Sequence, residues 1–165
     1  MPRGARVADL GCWPGGWLQV ASALVGPSGR VVGVDLVAIE PLDLANVIAL
    51  QGDLAQPSVI EAVLEALGGP ADVLLCDAAP KLTGVRATDR AREESLLHTI
   101  GELVPKLLKP GGTLLLKLLD GPEVDAAVRR LRPCFEKAKT VRPEASRKGT
   151  SERYLVGWGY RAVSA

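Results

Sequence analysis

Cysteine, histidine and long apolar runs are all scarce in this chain. Its three cysteines, Cys12, Cys76 and Cys134, are odd in number and far apart, and a single histidine, His98, accompanies them. That spacing gives neither a disulfide framework nor a CxxC-type zinc site, so the three read as structural thiols and no metal is expected. No apolar run approaches the ~20 residues that a membrane-spanning helix needs, and Met1-Pro2-Arg3 leads into a strand pattern without a signal-peptide core. A cytoplasmic chain with no membrane partner is expected. An excess of charge of one sign is missing too: 20 Lys and Arg stand against 19 Asp and Glu. Any surface for nucleic acid therefore has to be a local patch. Repeats, low-complexity tracts and linkers are absent, and 165 residues suffice for a sizeable core. Residues 1–165 are expected to form a single domain.

What the chain does have is alternation. Short runs rich in Val, Leu and Ile, "RVADL" (6–10), "RVVGVD" (30–35), "VIALQG" (47–52), "DVLLCD" (72–77) and "TLLLKLL" (113–119), read as five successive parallel strands. Between them "WLQVASAL", "SVIEAVLEAL" and "REESLLHTIGELVPKLL" carry helix-period apolar positions, with a further helix near 123–132. "GPSG" (26–29) and "KPGG" (109–112) read as helix-ending turns, and "KAKTV" and "RYLVGWGY" as two closing strands. The fold class is α/β, a mostly parallel sheet with helices on both faces.

Ligands in such sheets gather at the carboxyl ends of the strands, where strand order reverses. There the sequence places Asp9 with a glycine-rich turn, then Asp35, Asp53, Asp77 and Lys117. In "ADLGCWPGGW" (8–17), Gly11, Gly15 and Gly16 allow a sharp turn and close backbone approach to a ligand. A dinucleotide fingerprint would read G-x-G-x-x-G, but Trp13 stands where its second glycine would admit a pyrophosphate. The G-x-x-x-G-G spacing suits a nucleoside-type ligand without phosphates instead. Asp35 is placed to accept from both ribose hydroxyls and Asp53 from an adenine amino group. S-adenosylmethionine has those parts, and a nicotinamide dehydrogenase is disfavoured.

These motifs resemble the FtsJ (RrmJ, RlmE) family of ribosomal RNA 2′-O-ribose methyltransferases, whose glycine-rich turn runs close to DLGAAPGGWSQ. The likeness continues in "LQGD" (50–53), "CDAAPKLTG" (76–84), "TDRAR", "PGGTLLLKLLDG" (110–121) and "RPEASRKGTSERYLVGWG" (142–159), covering essentially the whole chain in order. The resemblance implies a Rossmann-like, seven-stranded sheet whose last strand runs antiparallel. It implies S-adenosyl-L-methionine as methyl donor, S-adenosyl-L-homocysteine as product, and a uridine of 23S ribosomal RNA in the large ribosomal subunit as acceptor. It also implies a monomer. By motif, Gly11, Gly15, Gly16, Trp17, Asp35, Asp53 and Asp77 match cofactor-binding positions, with Gly15 and Trp17 at the methionine end. Lys117, Asp77 and Glu152 match the catalytic group. Relatives usually carry a few dozen residues ahead of the glycine-rich strand, including a helix with a further catalytic lysine, whereas here Pro2 to Arg6 leads straight into the strand. Trp13, where relatives commonly have alanine, is a second departure.

The chemistry explains why a lysine is wanted. A sulfonium methyl is already activated, so catalysis must position the acceptor hydroxyl and handle its proton. Lysine can serve as a neutral amine that takes the proton or as an ammonium that orients the oxygen. An ordinary lysine pKa of ~10.4 disfavours the first role unless the site is desolvated, and neighbouring carboxylates favour the second. For RNA, the basic residues flanking the site are Lys81, Arg86, Arg90 and Arg92 after the Asp77 loop, and Lys137, Lys139, Arg142, Arg147, Lys148 and Arg153 towards the end. Trp158 and Tyr160 read as packing residues. Two other classes fit less of the pattern: an RNA-binding module that holds the cofactor without turnover, and a methyltransferase for a different acceptor.

Overall fold

The computed structural model describes residues 1–80, 83–119, 121–142 and 152–162. Lys81, Arg147 and Lys148, named above for the substrate surface, lie outside them. The strands are β1 (Arg6–Leu10), β2 (Arg30–Asp35), β3 (Val47–Gln51), β4 (Ala71–Cys76), β5 (Leu108–Leu118), β6 (Phe135–Val141) and β7 (Arg153–Tyr160). Between them run α1 (Gly16–Val25), α2 (Pro57–Leu67), α3 (Arg86–Leu107) and α4 (Pro122–Leu131), the last followed by a 3₁₀ turn at Arg132–Cys134. Sheet order is β3-β2-β1-β4-β5-β7-β6. Pairings among β1 to β5 are parallel, and β7 is antiparallel to both β5 and β6. This is the seven-stranded sheet with an antiparallel last strand that the family resemblance implies.

The chain steps outward from β1 through β2 to β3, then returns to the centre with β4. Strand order therefore reverses between β1 and β4, and their carboxyl ends diverge into a crevice there. Alternate side chains go to opposite faces. Val7, Val31, Val73 and Leu75 pack with Leu18, Ala21 and Val25 of α1. Ala8, Leu10, Val32, Leu74, Leu114, Leu116 and Leu155 pack with α2, α3 and α4 on the other face. Truncating a fully buried leucine of that second layer, such as Leu74 or Leu116, would cost about 2–5 kcal/mol.

Two local expectations are corrected. "KPGG" (109–112) is not a loop outside the sheet: β5 reaches back to Leu108, and the pairing with β4 jumps from Ala71–Leu108 to Val73–Thr113. Gly111, at φ +78, absorbs the irregularity, and Lys109 pairs with the carboxylate of Asp72. Helix α3 begins at Arg86 rather than Arg92. Asp89 accepts from Thr83 N and Oγ1, both at 2.7 Å, and from Gly84 N at 3.0 Å, tying the preceding turn to the helix. Its first turns are nearly all solvent-exposed, so they carry no apolar period.

Candidate functional site

The site grows from the turn after β1. Gly11 takes φ +78 and Gly15 φ +105, conformations that disfavour any side chain. Gly11 N and Cys12 N both donate to Val34 O, at 2.9 and 3.3 Å, fixing the turn to β2. Leu10 O accepts from Asp77 N and Ala78 N at 3.0 and 3.1 Å, tying the loop after β4 to the same place. Helix α1 then opens at Gly16 with no side chain capping its first amides. Asp35, ending β2, accepts from Trp13 N at 3.0 Å and Val37 N at 2.9 Å, which fixes both carboxylate oxygens in orientation. Asp53 accepts from Ala55 N at 2.9 Å in the loop after β3.

These loops enclose a cavity of about 380 Å³. Gly11, Asp35, Asp53 and Asp77 line it together with Trp13, Leu36, Val37, Leu54, Ala78, Pro80 and Leu96. Among the described residues every charged group lining it is an aspartate. Lys117 lines an adjoining crevice that shares Ala78, Ala79, Pro80 and Leu96 with the cavity, and its ammonium pairs with Asp77. Gly15, Gly16, Trp17 and Glu152 line neither hollow. Gly15 and Gly16 open α1, and Trp17 meets Tyr154 with ring centroids 6.1 Å apart. Tyr154 lies opposite Lys117 in the β5–β7 register. Its phenol is pushed above the usual range by burial first, then by the Glu152 and Asp77 carboxylates, with Lys117 opposing. Lys117, Asp77 and Glu152 thus act on one tyrosine.

Sequence reasoning passed over three features. Tyr154 sits inside the "SERYLV" match, but nothing in its type distinguishes it from a packing residue. Leu36 and Val37 are 68% and 54% exposed at the cavity rim. Two apolar residues directly after a strand-ending aspartate were a readable signal for a flat apolar ligand. The third is Asp9, noted only as an acidic strand end. It is fully buried, and neither carboxylate oxygen has a hydrogen-bond partner. Burial first, then the charges of Asp77 and Asp35, push its carboxyl up to about 7.

That position has a stability consequence. A carboxyl whose folded value is raised stabilises the fold fully only below its ordinary value of 3.8, and the contribution is lost as pH rises through about 7. Asp9→Asn is therefore expected to raise the melting temperature of the ligand-free protein more at pH 8 than at pH 5. The gain at pH 8 is capped at roughly 4 kcal/mol by the separation of the two values. Thermal melts at both pH values would check this, and an equal shift at the two would contradict it. The Cys12 and Cys76 thiols, pushed by burial to about 12, keep their protons, as structural thiols do.

Several basic side chains assigned to the substrate surface are engaged within the protein. Arg90 lies 3.5 Å from Glu123, and Arg153 lies 2.9 Å from Asp125. The Lys137 and Lys139 ammonium groups stand 5.9 and 5.7 Å from the ring centre of Trp158 on the outer strand pair. Among the described residues no cluster of His, Cys, Asp and Glu could hold a metal, and no helix is long and apolar enough to cross a membrane.

The chain matches known proteins along its length. The family model described as FtsJ-like methyltransferase covers residues 1–160. The ribosomal RNA large subunit methyltransferase E of Methanothermobacter thermautotrophicus is 42% identical over 96% of this chain and 75% of its own length. The protein of the same name from Methanothrix thermoacetophila is 43% identical over 94% of this chain, which spans 59% of that relative. Among solved structures, one described as a ribosomal RNA methyltransferase from Plasmodium falciparum superposes with TM-score 0.78 at 22% identity, covering 96% of this chain and 88% of the other. Aeropyrum pernix fibrillarin, solved with natively bound S-adenosyl-L-methionine, superposes with TM-score 0.70 at 17% identity, covering 94% and 66%.

Proposed function

The chain belongs to the FtsJ-like methyltransferase family, and from that premise we propose that it transfers a methyl group from S-adenosylmethionine to a ribose 2′-hydroxyl of ribosomal RNA. The acceptor on this reading is a uridine of 23S RNA in the large subunit, and the place of action is the cytoplasm. One observation carries the proposal: a cavity at the strand-order reversal whose charged lining residues, among those described, are all aspartates, with a lysine–aspartate pair at its side. The donor is positively charged at sulfur and carries no phosphate, so a lining whose described charges are carboxylates suits it. A pyrophosphate would find the reverse.

The residues divide the work as follows. Asp35 retains free lone pairs for the ribose hydroxyls after binding its two amides, and Asp53 does the same for an adenine amino group. Leu36, Val37 and Leu54 supply apolar cover for the base. The uncapped amides of α1 suit the carboxylate of the methionine end. When bound, S-adenosylmethionine supplies a methyl group activated by its sulfonium. Lys117 Nζ, held by Asp77, takes the acceptor hydroxyl, fixes its oxygen and controls its proton. Tyr154 and Trp17 wall the side of that group.

Calorimetry with S-adenosylmethionine and with NAD, followed by tritium transfer from methyl-labelled donor to large ribosomal subunits and to naked RNA, tests this reading. Binding of the donor but not NAD is expected, with label in ribose of the subunit RNA. NAD binding, or label found only in protein or a small molecule, would overturn it. Binding to RNA is expected to weaken steeply with salt.

A further inference from the structure

The donor pocket as read above has no task for Asp9, although a carboxylate stripped of water and of partners is costly to keep. We propose that Asp9 couples acceptance of the methyl donor to loss of a proton: it is protonated in the ligand-free protein, ionises when a cationic ligand enters the cavity, and so favours the sulfonium donor over its thioether product. This rests on the functional reading just given.

The geometry places three carboxylates together. Asp9 pairs in register with Gly33 of β2 and Leu75 of β4. Asp35 stands two residues further along β2, hence on the same side of the sheet, and Asp77 follows the end of β4 two residues past Leu75. Both raise the carboxyl of Asp9, and both line the cavity. Among the described residues opposing charge is scarce. Helix α1, over this face, has no ionisable residue. The Cys12 and Cys76 thiols stay neutral. Lys117, beyond β4 on β5, is paired with Asp77. Helix α2 touches β1 from the opposite face, and its Glu61 and Glu65 are solvent-exposed. A positive ligand would therefore be the missing counter-charge, releasing the Asp9 proton to solvent. The product lacks that charge at sulfur and would release less.

Donor and product share an α-amino group that itself titrates near ~7.7–8.0, so the comparison between them isolates the sulfonium. Calorimetric titration of the chain with S-adenosylmethionine and with S-adenosylhomocysteine, in buffers of different ionisation heat between pH 6 and 8, measures the protons released. The wild-type chain should release a larger fraction of a proton with donor than with product near pH 7. Its donor-to-product affinity ratio should rise severalfold across the range, within the tenfold per pH unit that one proton allows. In Asp9→Asn both differences should vanish while melting curves show a folded protein. Equal proton release with the two ligands, or a difference that survives in Asp9→Asn, overturns the inference alone. Failure of both ligands to bind the wild-type chain overturns the functional reading and the inference with it.

Discussion

Lys117→Ala is expected to lower methyl transfer by about 10²–10⁴-fold while S-adenosylmethionine affinity stays within about threefold of wild type. The separation follows from placement. Lys117 does not line the 380 Å³ cavity; it lies in the adjoining crevice, with its side chain 15% exposed and its ammonium on Asp77. Removing it strips Asp77 of its partner but leaves the acidic wall facing the donor intact. A charge left alone there attracts a cationic ligand rather than repelling it. Lys117→Met, which keeps the apolar stem, should fail equally, because the stem only packs. Single-turnover transfer to large subunits and equilibrium binding of the donor would be measured together, with melting curves to confirm folding. Turnover within twofold of wild type would remove Lys117 from the mechanism. A loss of donor affinity as large as the loss of turnover would make it a pocket-shaping residue instead.

Of the strands that carry the site, β2 and β4 were legible because they are buried on both faces and read as Val- and Leu-rich runs, whereas the edge strand β3 is half exposed and was legible from its β-branched and apolar composition. Given five strands, α/β topology puts Asp35, Asp53 and Asp77 at one end of the sheet with no further information. The departures have a common cause: polar segments held by specific side-chain contacts that leave no period in the sequence. The start of α3 depends on Asp89 gathering the amides of Thr83 and Gly84, and the extension of β5 depends on a register break beside the Asp72–Lys109 pair. Asp9 illustrates the limit more sharply. As a residue type at a strand end it is ordinary; only the absence of any donor to it among the described residues sets it apart. Tyr154 was hidden for the opposite reason, since a tyrosine in a closing strand is what packing alone would supply.

Two of the turn's three glycines, Gly11 and Gly16, differ in what makes each one necessary. Gly11 is required by the protein itself. At φ +78 a side chain is strained, and a Cβ there would stand 2.5 Å from Ala78 N, inside the loop that hydrogen-bonds to Leu10 O. Since that obstacle is backbone rather than the end of a flexible chain, residues 77 to 79 would have to move, taking Asp77 from Lys117. Gly11→Ala is accordingly expected to cost about 2–4 kcal/mol, which lowers the melting temperature by roughly 5–15 °C for a chain of this size, and to weaken donor binding at least tenfold. Gly16 is different: it starts α1, its φ is not positive, and a Cβ there would meet nothing within 4 Å. Alanine should leave the ligand-free fold unchanged or slightly more stable, by up to about 1 kcal/mol. If the donor's methionine end approaches the opening of α1 as proposed, Gly16→Ala should nonetheless weaken its binding. A Gly11→Ala protein that melts with the wild type would contradict the steric argument, whereas wild-type donor affinity in Gly16→Ala would remove Gly16 from the pocket, while Gly11 stays required by the fold itself.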